Sequence, residues 1–564
     1  MSIFTSHPPI INKNKLIKWL TANYNFLYKK KISLKELNSE RDKNFLIAIN
    51  NKSKFVIKIS NKFESKKFLE LQDYVIKSLN KKSSIKKIIP KVIHRKIKTF
   101  VDEINSPCFV RILSYIEGKM YADSKNTIDL ECSLGSYAGI LSKELQNLGH
   151  EAAFRRFEWD PSSLDWIKNY INLFKSNRKK IIQNNLNEYI CFVKKNKSNL
   201  RYSLTHGDVN NYNLVVSNNK IIGLLDYGDM IFAPTINDLA ICLAYALMNK
   251  KNLYDSLKTI ILNYHNQFPL TFNEIFSLMT IVKCRLTITV IMAERQIKKF
   301  PKNKYLVISQ KDAWSLLYKL DKINPYIFVY LIRDFCNYPI TKNYRKLISY
   351  LRTNKFSKIF DKEINEFNKS IINLEAKSPF NSISINNPKK LTKKIKNYLF
   401  KNNAEIGLGL YGEKRNVYKG NNFISFFNSN ERRNIHLGID FFIKEGTTIK
   451  SPIDGKIVIL HNNEERFDYG PTVVLEHKVN SEIKFYTLYG HLSEKCLKKL
   501  SIGKKIKEGD KFAEIGNFPI NGNWSPHLHF QIIIDLMNEK KNFPGVSEKN
   551  LWSMWSKISP NPNL

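Results

Sequence analysis

The segment Thr205-His-Gly-Asp-Val-Asn-Asn-Tyr-Asn213, followed by Leu224-Leu-Asp-Tyr-Gly-Asp229, determines how the first half of the chain is interpreted. It places Asp208 five residues before Asn213, and a second aspartate, Asp226, follows after a short apolar region. Phosphoryl transfer needs such a set, because one carboxylate accepts the proton of the attacking hydroxyl while an asparagine and an aspartate hold Mg²⁺ on the phosphates. We therefore predict Asp208 as the base, with Asn213 and Asp226 as metal ligands.

The residues between these side chains predict the local backbone. Leu214-Val-Val216 and Ile221-Ile-Gly-Leu-Leu225 are short apolar runs, and Ser217-Asn-Asn-Lys220 between them is rich in turn residues. We expect two short buried strands joined by a turn, which would bring both metal ligands to neighbouring strand ends. A simple turn at His206-Gly-Asp208, with Asp226 as a strand-end cap, is the structural alternative. The order and spacing of the three polar residues favour the catalytic interpretation.

Composition limits the classes of function. A chain of 564 residues is too long for one core, so we expect two or three domains. The formal net charge of +41 would suit a nucleic-acid or anionic-membrane binder, but the lysines are spread along the chain. No compact basic block, helix-turn-helix or zinc-finger spacing stands out. We therefore expect no specific nucleic-acid partner.

Cysteine usage and hydropathy bear on the cellular compartment. The seven cysteines are scattered, odd in number and never in a CxxC pair, which favours a reducing compartment over a disulfide framework. The N-terminal segment lacks the apolar core of a signal peptide, and we find no apolar run of about 18 residues. We expect a cytoplasmic protein without a membrane segment.

A lysine inside an apolar strand predicts a phosphate contact. Lys58 lies in Lys54-Phe-Val-Ile-Lys-Ile59, where a buried charge is costly unless it meets an anion. In a kinase N-lobe the anion is the nucleotide phosphate, and a carboxylate on the next helix positions the amine. Glu70 is the preferred partner and Glu64 the lesser candidate, while an edge-strand lysine that reaches solvent is the alternative. No glycine-rich loop precedes Lys58, so Ser39 and backbone amides are predicted to contact the phosphates.

The regions around the predicted catalytic loop complete this first domain. Residues 110–118 are predicted to form a strand leading into a hinge that binds adenine. Amphipathic helices are expected over residues 130–148 and 163–195, with further helices to about residue 370. Asp238 begins an apolar helix, where it could either brace the catalytic loop or act as an N-cap.

Five motifs resemble those of the aminoglycoside phosphotransferase/choline-kinase superfamily, in its hydroxylysine-kinase-like branch: Ser39-Glu-Arg-Asp-Lys-Asn-Phe45, Phe55-Val-Ile-Lys58, Phe157-Glu-Trp-Asp160, His206-Gly-Asp208 and Leu225-Asp-Tyr-Gly-Asp-Met230. The resemblance covers residues 10–365. It implies a two-lobed, protein-kinase-like α+β fold and ATP-dependent phosphorylation of a hydroxyl on a small amine or amino acid. Val209 and Asn210 replace a frequent Leu-His pair, and Tyr227 replaces a Phe; these departures concern substrate shape.

Beyond a polar linker, the pattern changes to short strands separated by Gly, Pro and Asn turns, which predicts an all-β domain. Five polar residues could converge there: His436, Asp440, His491, His527 and His529. The two histidines of the His-x-His pair share one face of a strand, since side chains alternate with a period of two. Three His/Asp ligands with an open fourth position suit catalytic Zn²⁺, which activates water and polarises an amide carbonyl. Any one of these histidines alone would be better explained as a structural imidazole.

This set resembles the lysostaphin/LytM-like zinc metallopeptidases, which have a duplicated hybrid motif, over residues 405–540. The resemblance implies His436, Asp440 and His529 as zinc ligands, with His491 and His527 in catalysis. The flanking motifs resemble a variant in which this domain lies between such a kinase and a class III, pyridoxal-phosphate-dependent aminotransferase. The sequence ends about where that third domain would begin, so we expect a separately encoded aminotransferase-like partner.

The resulting prediction is a bifunctional cytoplasmic enzyme. Its expected domains are a kinase-like N-lobe (1–110), a helical C-lobe (111–370), a linker (371–400) and a zinc peptidase domain with a C-terminal tail (401–564). The expected cofactors are ATP, Mg²⁺ and Zn²⁺. Two rival interpretations are a cell-wall hydrolase whose kinase-like half does not catalyse, and a non-catalytic scaffold.

Overall fold

The computed structural model describes residues 7–39, 41–50, 52–94, 96–299, 308–378, 380, 387–418 and 420–563. These residues form two compact units, one ending at Pro325 and the other beginning at Tyr326.

The first unit opens with a five-stranded antiparallel sheet in the order β1-β2-β3-β5-β4. Its elements are α1 (Lys13–Asn23), β1 (Ile32–Leu37), β2 (Lys43–Ile49), β3 (Lys52–Ile59), α2 (Lys66–Asn80), β4 (Lys98–Val101) and β5 (Pro107–Ser114). Ile57 and Ile59 of β3 enter a core that also contains Leu16 and Leu20 of α1. Because side chains alternate along a strand, Lys58 projects from the other face of the sheet.

The rest of the first unit is mainly helical. Its elements are β6 (Lys119–Met120), α3 (Ile128–Leu145), α4 (Ser176–Glu188), β7 (Tyr202–Thr205), β8 (Leu214–Ser217), β9 (Lys220–Leu224), β10 (Ile231–Pro234), α5 (Ile236–Ala246), α6 (Leu253–Gln267), α7 (Phe272–Lys299) and α8 (Ile308–Leu320). Strands β8 and β9 pair antiparallel, and their turn places Asn218 and Asn219 at positive φ. The hairpin predicted between the two metal ligands is therefore present, and the unit has the expected α+β organisation.

Helix α7 is the exception to our hydropathy prediction. Its segment Phe272–Lys298 has a mean hydropathy of 1.8, so it is long and apolar enough to cross a membrane, although no such run was predicted. In the structure 89% of its apolar window is buried inside the protein, which is typical of a core helix. Two internal cations, Lys283 and Arg285, interrupt the apolar run and hid it from a search for uncharged residues.

The second unit is rich in strands. Its elements are α9 (Pro325–Phe335), α10 (Tyr344–Thr353), β11 (Lys369–Ile371), α11 (Pro388–Lys401), β12 (Ile406–Gly409), β13 (Ile435–His436), β14 (Ile439–Phe442), β15 (Thr448–Lys450), β16 (Gly455–Asn463), β17 (Gly470–Lys478), β18 (Lys484–Gly490), α12 (Lys495–Lys499), β19 (Lys505–Ile506), β20 (Lys511–Glu514), β21 (Leu528–Ile533), β22 (Val546–Ser547) and α13 (Trp552–Ile558). The main sheet has eight strands in the order β11-β12-β14-β21-β18-β17-β16-β19. Two further sheets are two-stranded and pair β13 with β22 and β15 with β20.

The unit boundary differs from the one expected from composition. Residues 326–370 were assigned to the helical lobe, yet Leu347 and Leu351 of α10 join the core of the second unit. The expected linker, residues 371–400, contains most of α11, whose Leu391 and Ile395 pack with Phe442 of β14. Polar residues dominate this region, but α11 needs only one narrow apolar stripe to dock. The polar composition of residues 371–400 therefore led to the prediction of a linker where the structure has a packed helix.

Candidate functional site

The catalytic loop of the first unit follows β7 and is anchored by α5. Asp238, in the first turn of α5, accepts hydrogen bonds from the backbone amides of His206 and Gly207, each at 2.9 Å. Gly207 has φ +78°, and a Cβ at that position would lie 2.3 Å from the carbonyl oxygen of Asp229. Of the two roles considered for Asp238, the structure therefore supports the brace of the catalytic loop.

The predicted base and one metal ligand lie in direct contact. Asn213 Nδ2 donates to Asp208 Oδ2 at 2.8 Å and to the Asp208 carbonyl at 2.9 Å. The Leu225 amide donates to the Asn213 carbonyl at 2.8 Å, so Asn213 and Asp226 lie at adjoining ends of β8 and β9. Asp226 has φ 56°, a left-handed conformation that is uncommon outside glycine and concentrates at functional sites.

Two cations from the N-terminal sheet region contact aspartates of the segment Leu224–Asp229. Lys58 Nζ lies 2.8 Å from Asp226 Oδ1, and Arg41 Nη2 lies 2.6 Å from Asp229 Oδ1. The Lys58 side chain is 13% exposed, so it does not extend into solvent as an edge-strand lysine would. Arg41 belongs to the Ser-Glu-Arg-Asp segment that stands where a glycine-rich loop was sought. Its part in the site was not predicted.

The helix carboxylate predicted to position Lys58 is elsewhere. Glu70 is exposed on α2 and lies 3.9 Å from Lys66, so the structure does not bring it to Lys58. The buried acid of α2 is Asp73, which binds Arg111 of β5 at 2.6 Å. Lys58 and Arg111 are register partners on neighbouring strands. Helix α2 therefore forms its ion pair with Arg111 instead of Lys58.

Two further predicted N-lobe positions, Ser39 and Glu64, differ in burial. Ser39 is exposed. Glu64 is partly buried, and burial raises its pKa. Neither makes a described hydrogen bond or ion pair with Lys58.

Sequence reasoning missed a cation that touches the base. Arg285 of α7 is almost fully buried, and its Nη2 donates to Asp208 Oδ1 at 2.6 Å. The guanidinium also lies over the rings of Trp159 and Tyr245, 4.7 and 5.6 Å from their centroids. A charged residue inside an apolar helix signals a buried acid, although it does not identify which one.

The surroundings of the loop shift the pKa values of Asp208 and Asp226 in opposite directions. Burial raises the pKa of Asp208 to about 6, against the opposing effect of Arg285. For Asp226 desolvation also acts upward, but Lys58 and Arg41 outweigh it and hold its pKa below the usual range. Opposite shifts of the two carboxyl pKa values would suit the predicted roles, a proton acceptor at Asp208 and an ionised metal ligand at Asp226.

The second unit brings the three predicted zinc ligands together. His436 Nε2, Asp440 Oδ1 and His529 Nδ1 are separated by 3.0 to 3.2 Å, and all three residues are buried. Strands β14 and β21 pair so that Asp440 and His529 stand directly opposite each other.

The hydrogen bonds of the two imidazoles fit a metal. His436 Nδ1 contacts the Leu410 carbonyl at 2.9 Å, and His529 Nε2 contacts Gln531 Oε1 at 3.0 Å. When these outer nitrogens donate, the lone pairs of the inner nitrogens face Asp440, which is the arrangement that orients histidine ligands. Three electron-pair donors converging without protons between them fit a bound cation such as Zn²⁺.

The two predicted catalytic histidines lie beside this set. The rings of His491 and His527 are 4.2 Å apart, and both Nδ1 atoms contact backbone carbonyls, at 2.8 and 2.7 Å. His491 has φ 63°, so its backbone also adopts the left-handed conformation. Burial lowers the pKa of both imidazoles, which favours their neutral forms.

A cavity of about 270 Å³ opens next to the five residues. Aromatic side chains supply much of its wall: Tyr418, Phe423, Phe442, Phe467, Tyr469, Trp524 and Phe543. Charged groups also reach it: Arg415, Arg433, Glu465 and Asp468. A substrate with both apolar and polar groups would suit this lining.

Comparison with known proteins finds a matching family for part of each unit. Residues 33–255 match the model of the phosphotransferase enzyme family, and residues 434–542 match that of peptidase family M23. Hydroxylysine kinase of Xenopus laevis is 26% identical over 349 residues, which cover 57% of this chain and 92% of that protein. An uncharacterized metalloprotease of Haemophilus influenzae is 31% identical over 120 residues, 19% of this chain and 22% of that protein. A microcompartment-associated aminopropanol kinase structure covers 55% of this chain and 97% of its own, with 15% identity and a TM-score of 0.44.

The chain therefore joins a domain of the phosphotransferase enzyme family to a domain of peptidase family M23. Its first part is a homologue of the hydroxylysine kinases. The expected family relationships and fold class are confirmed. The two families generally use Mg-ATP and Zn²⁺ respectively.

Proposed function

We propose that the first unit transfers the γ-phosphate of Mg-ATP to a hydroxyl group of a small amine or amino acid. The observation that carries this proposal is the grouping of Asp208, Asn213 and Asp226 at adjoining strand ends, with Lys58 bound to Asp226. Homology to hydroxylysine kinases supports a hydroxylated, amine-bearing acceptor.

The roles follow from charge and position. Asp208 would accept the proton of the attacking hydroxyl, which its raised pKa favours near neutral pH. Asn213 and Asp226 would hold Mg²⁺, which when bound offsets the negative charge of the phosphates. Lys58 would exchange its contact with Asp226 for a phosphate oxygen, and Arg41 lies close enough to share that task.

This proposal is tested by measuring ATP consumption with a panel of amino alcohols and hydroxylated amino acids. One acceptor is expected to stimulate turnover with product phosphate on its hydroxyl. Asp208→Ala should abolish that stimulation, while Asp165→Ala, which removes an acid paired with Lys194, should keep it. Unchanged turnover in a folded Asp208→Ala protein would refute the assignment of the base.

We also propose that the second unit binds one Zn²⁺ through His436, Asp440 and His529 and hydrolyses an amide bond. Zinc when bound would polarise the carbonyl and acidify a water molecule. His491 and His527 would accept the proton of that water and deliver it to the leaving amine, since both present an unprotonated nitrogen. Elemental analysis of the purified protein, with one zinc expected per chain, tests the metal assignment.

A further inference from the structure

A buried arginine binds the side of Asp440 that faces away from the two imidazoles. Arg415 Nη1 donates to Asp440 Oδ2 at 2.6 Å, whereas Asp440 Oδ1 faces His436 and His529. The two oxygens of one carboxylate therefore have separate partners. Arg415 and Asp440 are both almost fully buried.

The arginine is itself fixed from behind. Arg415 Nε donates to Glu413 Oε2 at 2.5 Å, and Glu413 Oε1 accepts the Leu374 amide at 2.6 Å. The chain Glu413–Arg415–Asp440 is buried throughout, and Glu413 balances the charge of Arg415. A guanidinium held at both ends has little freedom to leave the carboxylate.

A glycine on the neighbouring strand makes room for this contact. Gly409 of β12 stands opposite Asp440 of β14, and a Cβ at Gly409 would lie 2.7 Å from Arg415 Nη2. That distance is too short, so any side chain there would displace the guanidinium. Gly409, Glu413 and Arg415 together keep Asp440 Oδ2 bound to the guanidinium. Asp440 Oδ1 is then the oxygen that faces the two imidazoles.

We propose that Arg415, held by Glu413, is a positioning residue that restricts Asp440 to binding zinc through Oδ1 alone. This inference rests on the zinc site proposed above. One carboxylate oxygen and two imidazoles fill three positions of a tetrahedron and leave the fourth for the reacting water. A carboxylate binding through both oxygens would occupy that position or raise the coordination number.

The test uses full-length protein loaded with Zn²⁺ or with Co²⁺, whose visible absorption is strong in four-coordinate sites. Removing Arg415 alone would leave Glu413 buried and uncompensated, so the informative variant is Arg415→Met with Glu413→Gln. Arg333→Met is the matched control, since Arg333 is a partly buried arginine of the same unit that donates to the Ile340 carbonyl and is not among the residues that line the cavity. Zinc affinity is measured by competition with a chromophoric chelator.

The double variant is expected to bind zinc about 10- to 100-fold more weakly and to lose the strong cobalt absorption. Arg333→Met should keep both properties. Gly409→Ala, which retains Arg415 but displaces it, should show the same loss of absorption as the double variant. Wild-type affinity and spectrum in the folded double variant would overturn the inference while leaving the zinc site intact. Failure of the wild-type protein to bind zinc would overturn both.

Discussion

Arg285 Nη2 lies 2.6 Å from Asp208 Oδ1, so the proposed base is held by a guanidinium from the middle of an apolar helix. The charge of Arg285 lowers the pKa of Asp208 against the effect of burial. Arg285→Met should therefore raise the pKa of Asp208, because the protonated carboxyl is favoured once its partner is gone. The acidic limb of the kcat profile is expected to move to higher pH by about 1 to 3 units.

A matched control lies two residues away. Lys283 is equally buried on the same helix, but it binds Glu188. Lys283→Met should lower the melting temperature about as much as Arg285→Met does. It should leave the acidic limb of the kcat profile at its wild-type pH. A purely structural role for Arg285 would make the two variants indistinguishable in their pH profiles.

The predicted roles of Lys58 as phosphate contact and of Glu70 as its positioning carboxylate can be tested separately by mutation. Lys58→Met is expected to reduce kcat/KM for ATP by about 100- to 1,000-fold, because a preorganised charge on the phosphates is lost. Glu70→Gln should leave kcat/KM unchanged, since Glu70 is exposed and lies near Lys66. Steady-state kinetics on both variants measure this, and a large effect at Glu70 would show that α2 moves when nucleotide binds.

Ligand and proton-transfer roles in the second unit predict different losses. His436→Ala should lose both bound zinc and amide hydrolysis. His491→Ala should keep zinc, because His491 is not among the three converging donors, and lose about 100-fold or more in kcat. Zinc content and hydrolysis of a peptide library are measured on each protein. Loss of zinc in His491→Ala would move this residue into the ligand set.

Helix α11 is expected to contribute to folding of the second unit. Leu391 is buried with Ile395 and Phe442, so Leu391→Ala should cost about 2 to 5 kcal/mol in the free energy of unfolding. Calorimetry should show this as a lower transition temperature for the unit whose transition rises with added zinc. Lys396→Ala, on the exposed side of α11, serves as the control and should change little. Equal stability of both variants would indicate a true linker.

The sequence was most informative where functional side chains are close together along the chain. Only one loop and one hairpin separate Asp208, Asn213 and Asp226 along the chain. The local sequence pattern was therefore enough to predict that these side chains lie close together. The histidines of the second unit were found similarly, through short motifs on strands. For such groups, backbone periodicity determines side-chain direction before any tertiary contact forms.

The missed residues depend on distant pairing. Arg285 meets Asp208 across 77 positions of sequence, and Arg415 reaches Asp440 across 25. A charged residue in an apolar element indicates that it has a partner of opposite charge. The sequence does not show which of the many acidic residues is that partner. The choice of Glu70 failed for this reason, since helical spacing alone did not show that Asp73 is the acid that turns inward.

Asp226 and His491 both adopt backbone angles that a glycine or asparagine would tolerate more easily. The protein therefore loses some folding free energy at two positions for which we propose metal-binding and proton-transfer roles. Selection of variants for heat resistance alone would favour replacing these residues with less constrained ones. A laboratory evolution campaign on this protein should accordingly screen turnover at every round, or it will enrich stable but inactive molecules.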